Sequence, residues 1–149
     1  MKIIIATDDS PYSIAMLNDF ANRPLPPKTK VKIISVYESA TLMNRAPMGV
    51  LTEHYAAADA NSLKFAENAV KKAATIIKNK NPDLAILKVA IEGTPKKVIL
   101  EEAEAFAADL IILGSHGYGA VDRFLLGSVS QSVALHAKCS VEIVRKKIK

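Results

Sequence analysis

Two short runs limit what this chain can fold into more than any other feature. Ile3-Ile4-Ile5-Ala6 and Leu110-Ile111-Ile112-Leu113 are apolar without interruption. A strand with one wet face alternates apolar and polar residues, so an unbroken apolar tetrad suits a strand covered on both faces. That is the position of inner strands in a parallel sheet flanked by helices. Apolar runs occur at 2–7, 30–37, 83–91, 109–113 and 140–145, and they alternate with helical stretches at 12–22, 51–79, 95–107 and 127–136. The alternation predicts βαβ crossovers, and so an α/β fold with a single doubly wound five-stranded parallel sheet. The third run carries Lys88 between Leu87 and Val89, and the fifth carries Glu142 between Val141 and Ile143, which marks both as edge strands. With the first and fourth runs central and every crossover right-handed, the order is 3-2-1-4-5, with helices on both faces. No repeat, low-complexity tract or linker divides the sequence, so one domain over 1–149 is expected.

This order reverses direction between strands 1 and 4. In open α/β sheets a ligand crevice forms at the carboxyl ends of the strands flanking such a switch point. Strand 1 runs into Thr7-Asp8-Asp9-Ser10, and strand 4 into Leu113-Gly114-Ser115-His116-Gly117, so both loops are expected to line one crevice. Glycines directly after a strand let the backbone turn tightly and approach a ligand. Further on, Gly127-Ser128 opens the last helix, and a helix start offers unpaired N–H groups and partial positive charge that suit phosphate. Ser128 and Ser130 add hydroxyl donors. The plain alternative, a glycine-rich turn followed by a serine-capped helix, stays open on these residues alone. A P-loop signature, G-x-x-x-x-G-K-[ST], is absent, and strand 1 is not followed by G-x-G-x-x-G. The acidic Asp8-Asp9 turn would repel a pyrophosphate and suits ribose hydroxyls, an adenine edge or Mg²⁺.

The spacing Gly114-x2-Gly117-x9-Gly127-Ser128 resembles the nucleotide-binding signature of the universal stress protein family. The resemblance extends along the chain: Thr7-Asp8-Asp9-Ser10 after strand 1, Ile33-Ile34-Ser35-Val36-Tyr37 as strand 2, Ile91-Glu92-Gly93-Thr94-Pro95 after strand 3, Phe124-Leu125-Leu126-Gly127-Ser128-Val129, and Ser140-Val141-Glu142-Ile143-Val144 as the last strand. It implies an ATP-binding protein, with Mg²⁺, that acts as a nucleotide-dependent switch or sensor in stress response. On that likeness Ala6, Thr7 and Asp8 contact the adenosine part and the Val36 backbone reads the adenine edge. Leu113, Gly114 and Gly117 lie against ribose and phosphates, while Gly127, Ser128, Val129 and Ser130 hold the phosphates. Asp9 departs from the family, many of whose members have glycine or phenylalanine there. A slow ATPase or phosphotransferase using the same site is the alternative.

No catalytic or metal-binding set is expected. His116 sits in the glycine loop but no carboxylate adjoins it in sequence to orient it. His54 and His136 show no ligand spacing. Arg123, the single Lys or Arg between Gly114 and Ala137, either reaches a phosphate or pairs with Asp122. Asp19, Glu53 and Asp59 read as solvated helix residues. Segment 38–50 is long for a βα connection and is either a binding lid or a plain loop. Cys139, the one cysteine, precedes an apolar strand and reads as a buried, inert thiol.

Charge and leader signals narrow the setting. Lys and Arg number 20 against 15 Asp and Glu, but the basic residues are scattered apart from Arg145, Lys146, Lys147 and Lys149, so no nucleic-acid partner is expected. The apolar start stops at Asp8, too short for a signal peptide or membrane span, so no membrane association and a cytoplasmic location are expected. The apolar edge of strand 5, at Val141, Ile143 and Val144, predicts a homodimer through that strand.

Overall fold

Alternation along β1 explains its unbroken apolar sequence. Ile3 and Ile5 enter one buried layer with Met16, Leu17, Phe20, Val70 and Ile77, whereas Ile4 enters a second layer with Ile99, Ala103 and Val133. Successive side chains of a strand point to opposite faces, so two apolar layers demand an apolar residue at every position. The same division puts Ile112 in the first layer and Ile111 and Leu113 in the second.

A computed structural model of the chain describes residues 1–39, 52–117 and 126–145. The elements are β1 (Lys2–Ala6), α1 (Pro11–Ala21), β2 (Lys30–Tyr37), α2 (Thr52–Lys78), β3 (Ala85–Glu92), α3 (Pro95–Phe106), β4 (Leu110–Gly114), α4 (Ser128–His136) and β5 (Ser140–Val144). The sheet is five-stranded in the order β3-β2-β1-β4-β5, and every neighbouring pair is parallel. The charges at Lys88 and Glu142 therefore do mark the two edges. Among the described residues no helix is long and apolar enough to cross a membrane.

Local chemistry moves several boundaries by a residue or two. Helix α1 starts at Pro11 because Ser10, fully buried, accepts the Ser13 N–H at 3.2 Å, and proline fits a first helical position that lacks a partner anyway. The last helix starts at Ser128, with Gly127 as its N-cap. Strand β3 begins at Ala85, after the turn in which Leu84 N–H bonds Asn81 C=O at 3.2 Å.

Along α2 the helical spacing of Leu63, Val70 and Ile77 predicts one face packed on the sheet, and the structure agrees only in part. Leu63, Val70 and Ile77 share a helical face, yet Leu63 is 36% exposed while Val70 and Ile77 are buried together with Ala66, Ala69, Ala73 and Ala74. Length is the reason. The 27 residues of α2 span about 40 Å, against about 26 Å for the eight residues of β2 or β3. The early turns of α2 overrun the strands at their carboxyl ends, and Leu63 belongs to that overhang.

Helix α3 ends in a left-handed residue, Ala107, at φ 50° and ψ 55°. The Ala107 N–H bonds Glu104 C=O at 3.0 Å and the Ala108 N–H bonds Ala103 C=O at 2.9 Å, the two bonds of a Schellman ending. A residue with a Cβ costs roughly 1–2 kcal/mol in this conformation, and glycine returns about 0.4–1 kcal/mol of that through the unfolded chain. Ala107→Gly is accordingly expected to raise stability by about 0.5–1 kcal/mol, read as a small upward shift of the thermal or urea midpoint. A fall in stability would contradict it.

Candidate functional site

The turn after β1 is built around the Asp8 carboxylate. Its Oδ1 accepts the Ser13 hydroxyl at 2.6 Å and the Ser10 N–H at 3.0 Å, and the Asp8 N–H reaches Ser13 Oγ at 3.3 Å. Asp9 then takes φ 60°. Aspartate tolerates this left-handed region better than most side chains, which accounts for an acidic residue where a glycine would also serve. Its own carboxylate is held by Lys72 of α2 at 2.8 Å. The acidic turn thus uses one carboxylate to shape itself and ties the other to a helix.

The glycine loop after β4 is packed against that turn. A Cβ at Gly114 would lie 3.1 Å from the Tyr12 carbonyl carbon and 3.2 Å from the Ser13 nitrogen, so glycine lets the first turn of α1 sit on the end of β4. A Cβ at Gly117 would lie 2.7 Å from Asp8 Oδ2. The loop also anchors the start of α4. Gly127 N–H bonds Ser115 C=O at 2.8 Å, and the Ser130 hydroxyl donates to Gly114 C=O at 2.8 Å. Ser115 N–H in turn bonds Val144 C=O at 3.0 Å. The Ser130 hydroxyl proton, expected from the sequence to reach phosphate, is thereby spent inside the protein, and Ser130 keeps its backbone N–H for a ligand.

A cavity of about 330 Å³ opens where these loops meet, at the carboxyl ends of the strands. Ala6, Thr7 and Asp8 line it from β1, Val36 from β2, and Leu113, Gly114 and Gly117 from β4. Ser128, Val129 and Ser130 line it from the start of α4. Of the residues singled out in the sequence, Gly127 is not on the lining; it lies behind it, bonded to Ser115. The first helical bond of α4 runs from Gln131 N–H to Gly127 C=O, so the N–H groups of Ser128, Val129 and Ser130 precede the helix's own bonding. Among the described residues nothing accepts from these three N–H groups, and the positive end of the helix lies behind them.

Ser13, Ile34, Pro95 and Ile99 also line the cavity and were not picked out as site residues. Ile34 had a signal, since it lies one pleat from Val36 on the same strand face. Pro95 and Ile99 come from the start of α3, which the sequence placed after an edge strand and gave no reason to bring toward the switch point. Ile34, Val36, Ile99, Leu113 and Val129 give the cavity an apolar side that suits a planar ring. Asp8 is the one carboxylate on the described lining, and no Lys or Arg side chain is on it.

The other candidates stand apart. His136 is exposed and its Nδ1 is 2.8 Å from Ser132 C=O. Cys139 is half-buried, and desolvation pushes its thiol pKa up, which favours the protonated form. Asp19 pairs with Arg23, whose Nη1 also meets Glu142 of β5 at 2.7 Å. Asp59 accepts the Ser39 hydroxyl at 2.9 Å. Asp19 is exposed, as expected of a solvated helix residue, whereas Asp59 is half-buried and tied to Ser39. Asp122, Arg123, residues 40–50 of the long connection and the tail 146–149 lie outside the described residues. Among the described residues no group of three or more His, Cys, Asp and Glu gathers as a metal site.

Comparison of the sequence with known proteins shows the family. Residues 1–145 match the model of the "Universal stress protein family". A universal stress protein of Staphylococcus aureus (strain USA300) is 33% identical over 153 residues, spanning 97% of this chain and 83% of that protein. Among solved structures, the universal stress protein UspA from Lactobacillus plantarum superposes with a TM-score of 0.82 at 20% identity, covering 97% of both chains. An Arabidopsis thaliana universal stress family protein solved with AMP bound gives a TM-score of 0.66 at 16% identity, over 99% of this chain and 92% of that one.

Proposed function

The chain belongs to the universal stress protein family, and from that membership and the shape of its cavity we propose that it binds an adenine nucleotide, ATP with Mg²⁺, as a switch or sensor in the cytoplasm. The observation that carries the reading is the cavity at the carboxyl ends of β1 and β4, lined both by the Asp8 carboxylate and by the first residues of α4. These are complementary tools. Unpaired N–H groups at a helix start hold phosphate oxygens. A carboxylate already oriented by Ser10 and Ser13 accepts from ribose hydroxyls. The base would lie on the side formed by Ile34, Val36 and Ile99, with the Val36 backbone reading its edge. AMP in the Arabidopsis relative supports an adenine nucleotide as the ligand class. Mg²⁺ would arrive on the phosphates, since it favours one or two carboxylates plus phosphate oxygens and Asp8 is the carboxylate available on the described lining.

Calorimetric titration with ATP and with AMP, each with and without Mg²⁺, tests the reading. Saturable binding at one site per chain is expected, with thermal stabilisation equivalent to about 2.7 kcal/mol when free ligand is a hundred times Kd. No binding of either nucleotide at millimolar concentration to folded protein would overturn it.

We further infer that the switch works through a homodimer paired along β5. Among the described residues no strand pairs with the outer edge of β5, and an uncovered edge is a template for a second copy. Its side chains are partly committed already: Val141 and Ile143 pack on one core layer and Val144 on the other. Ile143→Lys would therefore injure the fold as well as the edge. The mass of the unaltered protein is the cleaner measurement, and light scattering at micromolar concentration is expected to give twice the chain mass of 16.1 kDa. A monomer there would reject pairing through this edge.

A further inference from the structure

The two faces of the sheet are covered unequally. On the side of the first layer, α2 packs on β2 and β3, and α1 on β4 and β5. On the other side, α3 packs on β1 and β2, and α4 on β5. Helices are about 10 Å across and strands about 4.8 Å apart, so two helices cover roughly four strands. The strand left over on the second side is β3. Val89 and Ile91 meet the second layer while only half-buried, and Leu87, on the same strand face, is 56% exposed. Ile86, which points the other way, packs against the first layer.

The neighbours of this bare strip are basic. In register, Leu87 lies beside Lys32 and Ala85 beside Lys30, while Lys30 lies beside Lys2 of β1. Directly paired residues of parallel strands point to the same face, so the three lysines share the face of Leu87. Lys32 is paired with Glu102 of α3, and the Lys2 ammonium lies 5.5 Å from the centre of the Phe106 ring. Among the described residues neither Lys2 nor Lys30 has an ion-pair partner. The acids close by are Glu102, taken by Lys32, Asp109, whose Oδ2 accepts the Lys2 backbone N–H at 2.7 Å, and Asp83, which precedes β3. A lone exposed leucine is ordinary on a protein surface. This one continues an apolar row on an uncovered sheet face and has cations along one side.

We propose that the strip is a docking surface for an acidic amphipathic helix of a partner protein, laid on β3 beside α3. Its apolar face covers Leu87 and Val89, and its carboxylates answer Lys30, Lys2 and Lys32. A third helix there completes the layer that α3 and α4 begin. At the carboxyl end of β3, Ile91 lies beside Val36 of the nucleotide cavity, so the docked helix is centred on Leu87, away from that cavity. Charge selects the occupant. A second copy of this chain would bring the same lysines to the strip and not the acids that match them.

Fluorescence polarisation with a labelled synthetic helical peptide of 14 residues or about four turns, leucines on one face and glutamates flanking them, tests the proposal beside the same peptide with glutamine for glutamate. The parent is expected to bind the glutamate peptide about tenfold or more tightly than the glutamine one, and less tightly as salt rises. Leu87→Asp should weaken the glutamate peptide about tenfold or more, as loss of a central apolar anchor does. Lys30→Glu should weaken it about three- to tenfold and shift the preference toward a peptide with lysine for glutamate. Both side chains are exposed, so the thermal midpoints of these variants should stay near that of the parent. Equal binding of the two peptides, no binding at millimolar concentration, or unchanged binding by Leu87→Asp would each overturn the proposal. A parent mass above that of Leu87→Asp in light scattering would overturn it in favour of a second copy as the occupant. Sedimentation with phosphatidylserine vesicles that disappears in Leu87→Asp would overturn it in favour of a lipid surface.

Discussion

Gly127→Val is expected to weaken ATP and AMP binding by two orders of magnitude or more while leaving the sheet intact. Backbone strain is not the cause. Gly127 has φ −59° and ψ 150°, which any residue adopts. Space is the cause. A Cβ at Gly127 would sit 3.2 Å from Ser115 C=O and 3.4 Å from His116 Cα, and the branched methyls of valine need more room still. The start of α4 must then move away from the β4 loop, straining the Gly127–Ser115 and Ser130–Gly114 bonds that register the two. Those bonds aim the N–H groups of Ser128, Val129 and Ser130 into the cavity. A hydrogen bond to a charged group is worth about 1.5–3 kcal/mol, so misplacing two of them costs roughly 3–6 kcal/mol, or about two to four orders of magnitude in Kd. Overpacking at one loop contact costs about 1–3 kcal/mol of stability. Calorimetry beside circular dichroism separates the effects, and Gly127→Ala should be milder in both. A folded Gly127→Val protein that binds ATP like its parent would show that α4 does not hold the phosphates.

Bound ATP is expected to turn over slowly or not at all, with single-turnover phosphate release well below the order of 1 s⁻¹ found for ordinary enzymes. Phosphoryl transfer needs cationic groups on the developing charge and a residue that orients the attacking water. An arginine finger alone is worth about 10³–10⁵ in rate. The described cavity lining has no Lys or Arg, and the carboxylate on it, Asp8, is already engaged by Ser10 and Ser13. In the proposed complex the phosphates would face the backbone N–H groups at the start of α4 and no cationic side chain of the described lining. Such donors hold ground state and transition state alike, and uniform binding does not raise turnover. The assay is labelled ATP with protein in excess. Release on the order of 1 s⁻¹ that disappears in Arg123→Ala or His116→Ala would establish an enzyme instead.

These expectations draw on two kinds of information. The apolar tetrads in β1 and β4 state by themselves that both faces of those strands are covered, because a strand exposes every second side chain to each face. Lys88 and Glu142 state that β3 and β5 are edges, because a charge is tolerated where one side is wet. Strand order, the switch point and the two loops that meet there follow from those local facts and the handedness of crossovers. Glycine and serine after a strand and at a helix start are local signals too, which is why the loops at Asp8, Gly114 and Ser128 were legible.

Distances between elements are a different matter. That Ser130 spends its hydroxyl on Gly114, that Gly127 stands behind the cavity and not on it, and that Pro95 and Ile99 reach the lining all depend on how α3 and α4 pack across the sheet. Leu63, on the same helical face as the buried Val70 and Ile77, is exposed for the same reason. Helical periodicity reports which face a residue is on, but only the relative lengths of α2 and the strands decide whether anything is opposite that face. That Nε2 of His116 is buried with no hydrogen-bond partner among the described residues is the most dependent of all, since an absent hydrogen bond is a property of every neighbour together. Periodicity and turn chemistry act over a few residues and are written in the sequence. Close packing and hydrogen-bond satisfaction act between residues far apart in the chain, and there the tertiary structure alone decided what each side chain is left free to do.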